Sequence, residues 1–563
     1  MLHFKKYVEI DKINFKNLSK KNQKTECDIM DLNKKILIIS MLVMLVCCVS
    51  AVSATDIDST DDVSDDIVVD EVTDVVEDVE IDDVNDDVVE ENDMNDNYVE
   101  QENLRTTTGT INGNSYTQYF DENGNLNDTS AYQLIFNGYF DEVDSTFGNF
   151  KINQYVTLDI SNATFHNIGF DLNATALTLK NGNFTTDASA TNGATIRVLA
   201  ESVVVENNTI DVVVPENAEY YAIDVEDASS VRLLDNIITY NCGYINDGKY
   251  NYVIKAKNSG SLNIISNNIT ATLPLRTPNW SYWMSIDADY VAGIAIEKCN
   301  NTQFLNNNLI VTANLTDNGS PTLDALIIAD SAWVHVENNI INEKDIVTES
   351  GNYSYIYGVD VYSCEGINIK NNEITMNGNK SGGHIEGNGT GAAYCIQLSG
   401  EYDSADICYN NLTTCNEGPN LAIYAQNYAE LYSCIFIYNN NISVTGKAGD
   451  DPWSLVSGIE SQMKYSYIYD NIIHVNNTAG YVQDNYAFGI CYAQWLNGTH
   501  YFYINNNTVD VINGDYAVYL IDDLQNVTGS ITKNHLIAYT ATGNNTGDNA
   551  TCTGTNIYKA NNS

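Results

Sequence analysis

Between residues 205 and 536 the chain repeats one short pattern: an apolar residue, two variable residues, asparagine, one variable residue and a second apolar residue. The matches begin with VENNTI at 205 and LLDNII at 233 and run through IYNNNI at 437 to ITKNHL at 531. Their fourth position is Asn208, Asn236, Asn267, Asn307, Asn339, Asn372, Asn410, Asn440, Asn471, Asn507 and Asn534, at intervals of 27 to 40 residues. Upstream of each asparagine lies another short apolar run, such as AIDV at 222 or AVYL at 517, and downstream lies a third, such as Ile442-Ser443-Val444. Alternation over so few residues predicts about three short strands per repeat, separated by turns.

Three such strands cannot close a core alone, but each can pair with its counterparts in the repeats before and after. The predicted fold is therefore all-β: a single-stranded parallel β-helix of about 11 to 14 rungs, rising roughly 4.8 Å per rung, with aliphatic residues inside. One asparagine at a fixed place in every rung then forms an internal ladder, its short amide satisfying turn backbone and bonding to the asparagine of the next rung. Asn439 and Asn441, on either side of Asn440, are expected to face outward. Leucine-rich repeats need leucines at shorter spacing and propeller blades need antiparallel hairpins, and neither pattern is present. ISNATF at 160 and LKNGNF at 179 keep the apolar frame but put Ala163 and Gly182 in the asparagine position, as degenerate terminal repeats do.

The flanks differ in composition. Lys34 and Lys35 precede an apolar run from Ile36 to Val49, and Ser53 and Ala54 follow, the order of a secretory signal cleaved near Ala54; a retained anchor is the alternative. Between Thr55 and Asn103 there are 22 Asp and Glu and no Lys or Arg, so the segment repels itself and reads as an extended acidic spacer. The organisation predicted is an N-terminal extension and signal at 1–54, spacer at 55–104, cap region at 105–150, β-helix at 151–540, and C-terminal cap or tail at 541–563. The net charge of −49 opposes nucleic acid and anionic lipid as partners. Nine cysteines beyond the signal, an odd number without metal-like spacing, read as buried thiols rather than a disulfide framework or zinc site.

The apolar-x-x-Asn-x-apolar copies resemble the parallel β-helix repeat shared by pectate-lyase-like enzymes and many surface proteins. With the signal, the acidic spacer and the asparagine-rich body, the chain resembles the adhesin-like, right-handed β-helix surface proteins of anaerobic archaea. The resemblance covers about residues 150 to 540 and implies a right-handed coil, secretion and a place at the cell surface. It also raises an enzymatic alternative, because the fold hosts polysaccharide lyases, hydrolases and epimerases.

The residues give that alternative little. Lyases resembling pectate lyase pair carboxylate-bound calcium with an arginine or lysine base. Only Arg197, Arg232 and Arg276 lie in the repetitive body, and LRTPNW around Arg276 carries half of an Arg-x-Pro-x-x-Arg motif with no second arginine after Trp280. Polygalacturonase-type hydrolases need clustered aspartates, a Gly-His-Gly and an Arg-x-Lys; here Asp522–Asp523 stands alone and GGHIEG around His384 matches only loosely. No catalytic residue, metal site or cofactor is assigned, calcium being the one ion the carboxylates leave open. His474 is expected to face outward.

Binding fits a long stack better, since solenoids offer extended faces on which aromatic rings can hold sugars. The candidate glycan-binding residues are Tyr402, Tyr432, Tyr438, Tyr467 and Trp495. Tyr402 and Tyr432 each lie eight residues before their rung's asparagine, which predicts that they stack. Asn268, Asn279, Asn352, Asn411, Asn441 and Asn497 open Asn-x-Ser/Thr sequons and are candidate glycosylation sites. The expected function is a secreted or cell-surface adhesin contacting glycans or envelope proteins. A divergent polysaccharide-processing enzyme and a structural envelope role are the alternatives.

Overall fold

The computed structural model describes residues 107–560, apart from 128–130, 143–146, 215–217, 244–250, 276–290, 316–321, 347–354, 379–391, 417, 428–432, 449–454, 481–485, 494–498, 515, 521–526, 541–542, 546–547 and 550–555. The signal, the acidic spacer, Arg276, Trp280, His384, Asp522, Asp523, Tyr432, Trp495, Asn279, Asn352, Asn497 and Cys552 lie outside the described residues.

Within the body, strands stack into three long sheets of 16, 14 and 13 strands, here called the first, second and third. One rung shows the path. Cys434–Tyr438 lies in the third sheet, the asparagine turn leads to Asn441–Gly446 in the first, Val456–Gln462 follows in the second, and Tyr465–Tyr469 returns to the third. Each strand pairs in parallel with its equivalents one rung away, so that Ile437, Ile468 and Ile504 align, as do Ile442, Ile473 and Val509. The chain is a right-handed parallel β-helix, the hand that twisted strands impose on parallel connections. Inward positions are Ile, Val, Leu, Phe and Ala, and they form one continuous buried core along the coil.

The asparagines form the expected internal ladder. From Asn236 to Asn534, each Oδ1 accepts from both the backbone N–H and the side-chain amide of the asparagine one rung earlier, at 2.8 to 3.1 Å. The second amide hydrogen reaches a carbonyl of the previous rung, as from Asn440 to Ile407 at 2.9 Å. At the degenerate rung, Gly182 offers only its backbone N–H to Oδ1 of Asn208. Sequence reasoning missed a companion feature: the residue before each ladder asparagine, from Asn207 to Lys533, is left-handed with φ between 52 and 59°. Asparagine and aspartate tolerate that conformation best among non-glycine residues, which explains the Asn-Asn pairs.

The second sheet turns two consecutive residues inward at mid-strand, and glycine occupies one of them in several rungs. A Cβ on Gly489 would stand 2.0 Å from Val509 Cγ1, and one on Gly458 would stand 2.4 Å from Ile473 Cγ2. Parallel pairing begins earlier than the expected residue 151: Thr107–Asn112 already pairs with Ala131–Asp141. That opening rung is filled by phenylalanines such as Phe136, Phe150, Phe165 and Phe170, packed edge to face, and so escapes an aliphatic pattern. At the other end His535–Thr540 turns back antiparallel onto Gly543–Asn545.

The cysteines depart in part from a buried reading. Cys242, Cys299, Cys364, Cys395, Cys408 and Cys491 are buried, whereas Cys434 is half-buried and Cys415 exposed, since both occupy outward strand positions. All eight are free thiols. Burial pushes Cys299 up to about 11 and Cys242 up to about 12, which keeps them protonated and unreactive.

Candidate functional site: two outer faces

The outer surface of the third sheet carries three columns of side chains. Strand alternation turns every second residue outward, and parallel register places equivalents one rung apart. Over three rungs these positions are Cys434, Phe436 and Tyr438, then Tyr465, Tyr467 and Tyr469, then Tyr501, Tyr503 and Asn505. Phe436 stacks on Tyr467 with centroids 4.8 Å apart and planes 11° apart. Tyr438 stacks on Tyr469 at 5.0 Å and 3°, and Tyr465 on Tyr501 at 5.2 Å and 7°.

Parallel rings touch when their planes are about 3.5 Å apart, so centroids near 5 Å mean slipped stacks, with part of each face turned to solvent. Tyr501 and Tyr503 are 41% and 40% exposed, and Tyr409 at the corner of the array is 52% exposed with its edge against Tyr438. Asp406 stands in the Phe436 column one rung before it, and Thr528, Ser530 and Thr532 close the far side.

This array collects Tyr438 and Tyr467 but excludes Tyr402. Tyr402 lies ahead of its strand, Ser404–Cys408, so outward alternation does not govern it. Its ring turns into the core, 5% exposed, and its hydroxyl donates to Met463 Sδ at 2.7 Å. A ring so enclosed offers no face to a sugar, and the expectation for Tyr402 is corrected. To Tyr438 and Tyr467 the array adds Tyr465, Tyr469, Tyr501, Tyr503 and Phe436, of which only Phe436 falls outside the tyrosine and tryptophan pattern of the sequence. A signal was available: Phe436, Tyr467 and Tyr503 all lie four residues before their ladder asparagine, inside the strand.

The outer face of the second sheet carries titratable groups. Arg197 lies 3.8 Å from both Asp171 and Asp224 in successive rungs. Burial raises Asp224 to about 6 against the pull of Lys255 and Arg197. Further along, Asp324 is fully buried, and neither of its oxygens has a hydrogen-bond partner among the described residues. Burial, then the charge of Asp360, holds it well above the usual carboxylate range.

Asp360, on the next rung, is pushed up to about 7 by burial. Tyr357 stands beside Asp324 in register and stacks on Tyr394 at 4.9 Å. Glu460 is likewise pushed up to about 7 by burial, opposed by the amide of Gln462, which donates to it at 2.6 Å. No local motif announces these carboxylates; Asp324 and Asp360 meet only through rung stacking.

Asn268, Asn411 and Asn441 fall on the exposed edge of the first sheet, immediately after ladder positions, where Asn441 donates to Asn411 Oδ1 at 3.1 Å. Arg232 is exposed on the third sheet, and His474 is exposed 3.7 Å from Asp510. Among the described residues no group of three metal-ligating side chains comes together, and no helix is long and apolar enough to cross a membrane.

No protein-family model matches the chain, and no curated protein sequence matches it. Among solved structures the chain is similar to the periplasmic alginate epimerase AlgG, at 10% identity and a TM-score of 0.25, over 74% of this chain and 78% of that one.

Proposed function

We propose that this chain is a secreted, surface-associated β-helix protein that binds carbohydrate through the aromatic face of its third sheet. The observation that carries the reading is the array of half-buried, slipped ring stacks across three rungs, open to solvent at Tyr501 and Tyr503. Stacked aromatics on a rigid sheet present apolar faces already in place, and tyrosine hydroxyls beside them can orient sugar hydroxyls. Secretion rests on the charged, apolar and small-residue order of residues 34–54, and the adhesin role on the resemblance of the repeats to those of surface proteins. A glycan array probed with purified protein tests the reading: specific hits lost in Tyr503→Ala support it, and hits indifferent to Tyr503→Ala and Tyr467→Ala remove it.

A second reading is favoured by Asp360. Its carboxyl, half-buried on the outer face and held at about 7 by burial, suits a proton donor or acceptor in polysaccharide cleavage or epimerisation, with the enclosed Asp324 behind it. Turnover of an array hit, abolished by Asp360→Asn while binding persists, would establish that reading in place of simple adhesion.

A further inference from the structure

The aromatic face has a direction, a length and a charge, and together they define a ligand. We infer that it takes a neutral polysaccharide whose pyranose rings are joined through equatorial bonds, lying along the helix axis as a straight ribbon over three successive sugars; this rests on the carbohydrate-binding reading above.

Direction and length come from the columns. Ring-to-ring steps of 4.8, 5.0 and 5.2 Å run along the axis in three parallel files. An equatorially linked chain advances by one ring length per sugar, close to the rung spacing of about 4.8 Å, so that successive sugars meet Phe436, Tyr467 and Tyr503 of the central file, each with at least one flanking ring. An axially linked chain curls and would meet the first ring and leave the rest. The central file stops at Asp406 on one side and Ser530 on the other, and the outer files end at Cys434 and Asn505, which limits the platform to three rungs.

The charge comes from the surroundings. Asp406 is exposed at the head of the central file, with Glu401 and Asp403 exposed ahead of its strand, and Asp470 is exposed beside Tyr469; the nearby cations are Lys370, Lys464 and Lys533. The chain as a whole has 75 Asp and Glu against 26 Lys and Arg. A polyuronate would approach against that field, whereas a neutral chain is indifferent to it.

Three tetrasaccharides separate these features: mannotetraose, neutral and equatorially linked; tetramannuronate, with the same linkage and a carboxylate on each sugar; and maltotetraose, neutral but axially linked. Titration of the full chain at low salt should give binding to mannotetraose, with tetramannuronate and maltotetraose each about tenfold weaker or more. Added salt should narrow the uronate gap alone. Mannobiose should bind more weakly than mannotriose, and lengthening beyond three sugars should add little.

Tyr503→Ala, at an exposed position, and Tyr467→Ala, checked for folding by circular dichroism, should each weaken mannotetraose at least tenfold, while Tyr467→Phe retains most of the affinity. Equal or tighter binding of the uronate or of maltotetraose, still lost in the tyrosine variants, would overturn the ligand class and leave carbohydrate binding standing. Binding unaffected by either tyrosine variant, or none to any sugar, would overturn both.

Discussion

Asn440 gives both its backbone N–H and its side-chain amide to one acceptor, Oδ1 of Asn471, each at 3.0 Å. Its own Oδ1 accepts the same pair from Asn410. Each ladder member from Asn208 to Asn507 is thus donor to the next rung and acceptor from the one before, at a site closed to water where an unpaired polar group is expensive.

Asn440→Ala removes that acceptor from Asn410 and the donor from the Ile407 carbonyl. Leaving buried donors and a carbonyl unsatisfied should destabilise the protein by about 3 kcal/mol. Urea unfolding measures it; a midpoint equal to that of the unaltered protein would show that the ladder contributes nothing.

The residue just before is constrained by conformation rather than contact. Asn439 has φ 54° and is exposed, so Asn439→Val should cost about 1–2 kcal/mol, while Asn439→Gly should stay within a few tenths. Lys533, at φ 58° before the last ladder asparagine, should be improved by Lys533→Asn, read as a higher thermal midpoint.

Gly489 is required by close approach across the interior. Gly489→Ala would drive its methyl into Val509, at 2.0 Å, and the Ala517 carbonyl, at 2.7 Å, costing about 1–3 kcal/mol. Val509→Ala added to it should recover part of the loss, and a double variant whose effects simply add would contradict the contact.

Glu460 gives stability a pH dependence of definite sign. Burial lifts its carboxyl from 4.5 to about 7, so between those values the folded chain holds a proton that the unfolded chain has lost. Stability from this group is greatest below pH 4.5, falls as pH rises to 7 and levels off above, a change of about 3 kcal/mol. Glu460→Gln keeps an acceptor for Gln462 and cannot ionise. It should flatten that slope and raise the midpoint at pH 8; an unchanged profile would place the proton elsewhere.

The sequence by itself determined the coil, its strands and its ladder. An inward residue is marked locally, by alternation within its own strand, and Asn208 to Asn534 repeat at one offset from an apolar residue in every rung. Phe436, Tyr467 and Tyr503 were legible in the same way, at a constant offset inside a strand. Tyr402 and Tyr432 share an offset too, but Tyr402 lies in a turn, where backbone direction rather than alternation decides and sends its ring into the core.

Only the tertiary structure decided which residues of the second sheet become neighbours. Asp324 and Asp360 occupy different strand positions, Asp324 in register with Tyr357 and Asp360 with Ile327, so they stand 15 and 12 residues before their asparagines and no shared offset marks them as a pair. Burial raises the affinity of both for protons, and the charge of Asp360 adds to it at Asp324; both causes exist only once the rungs have stacked.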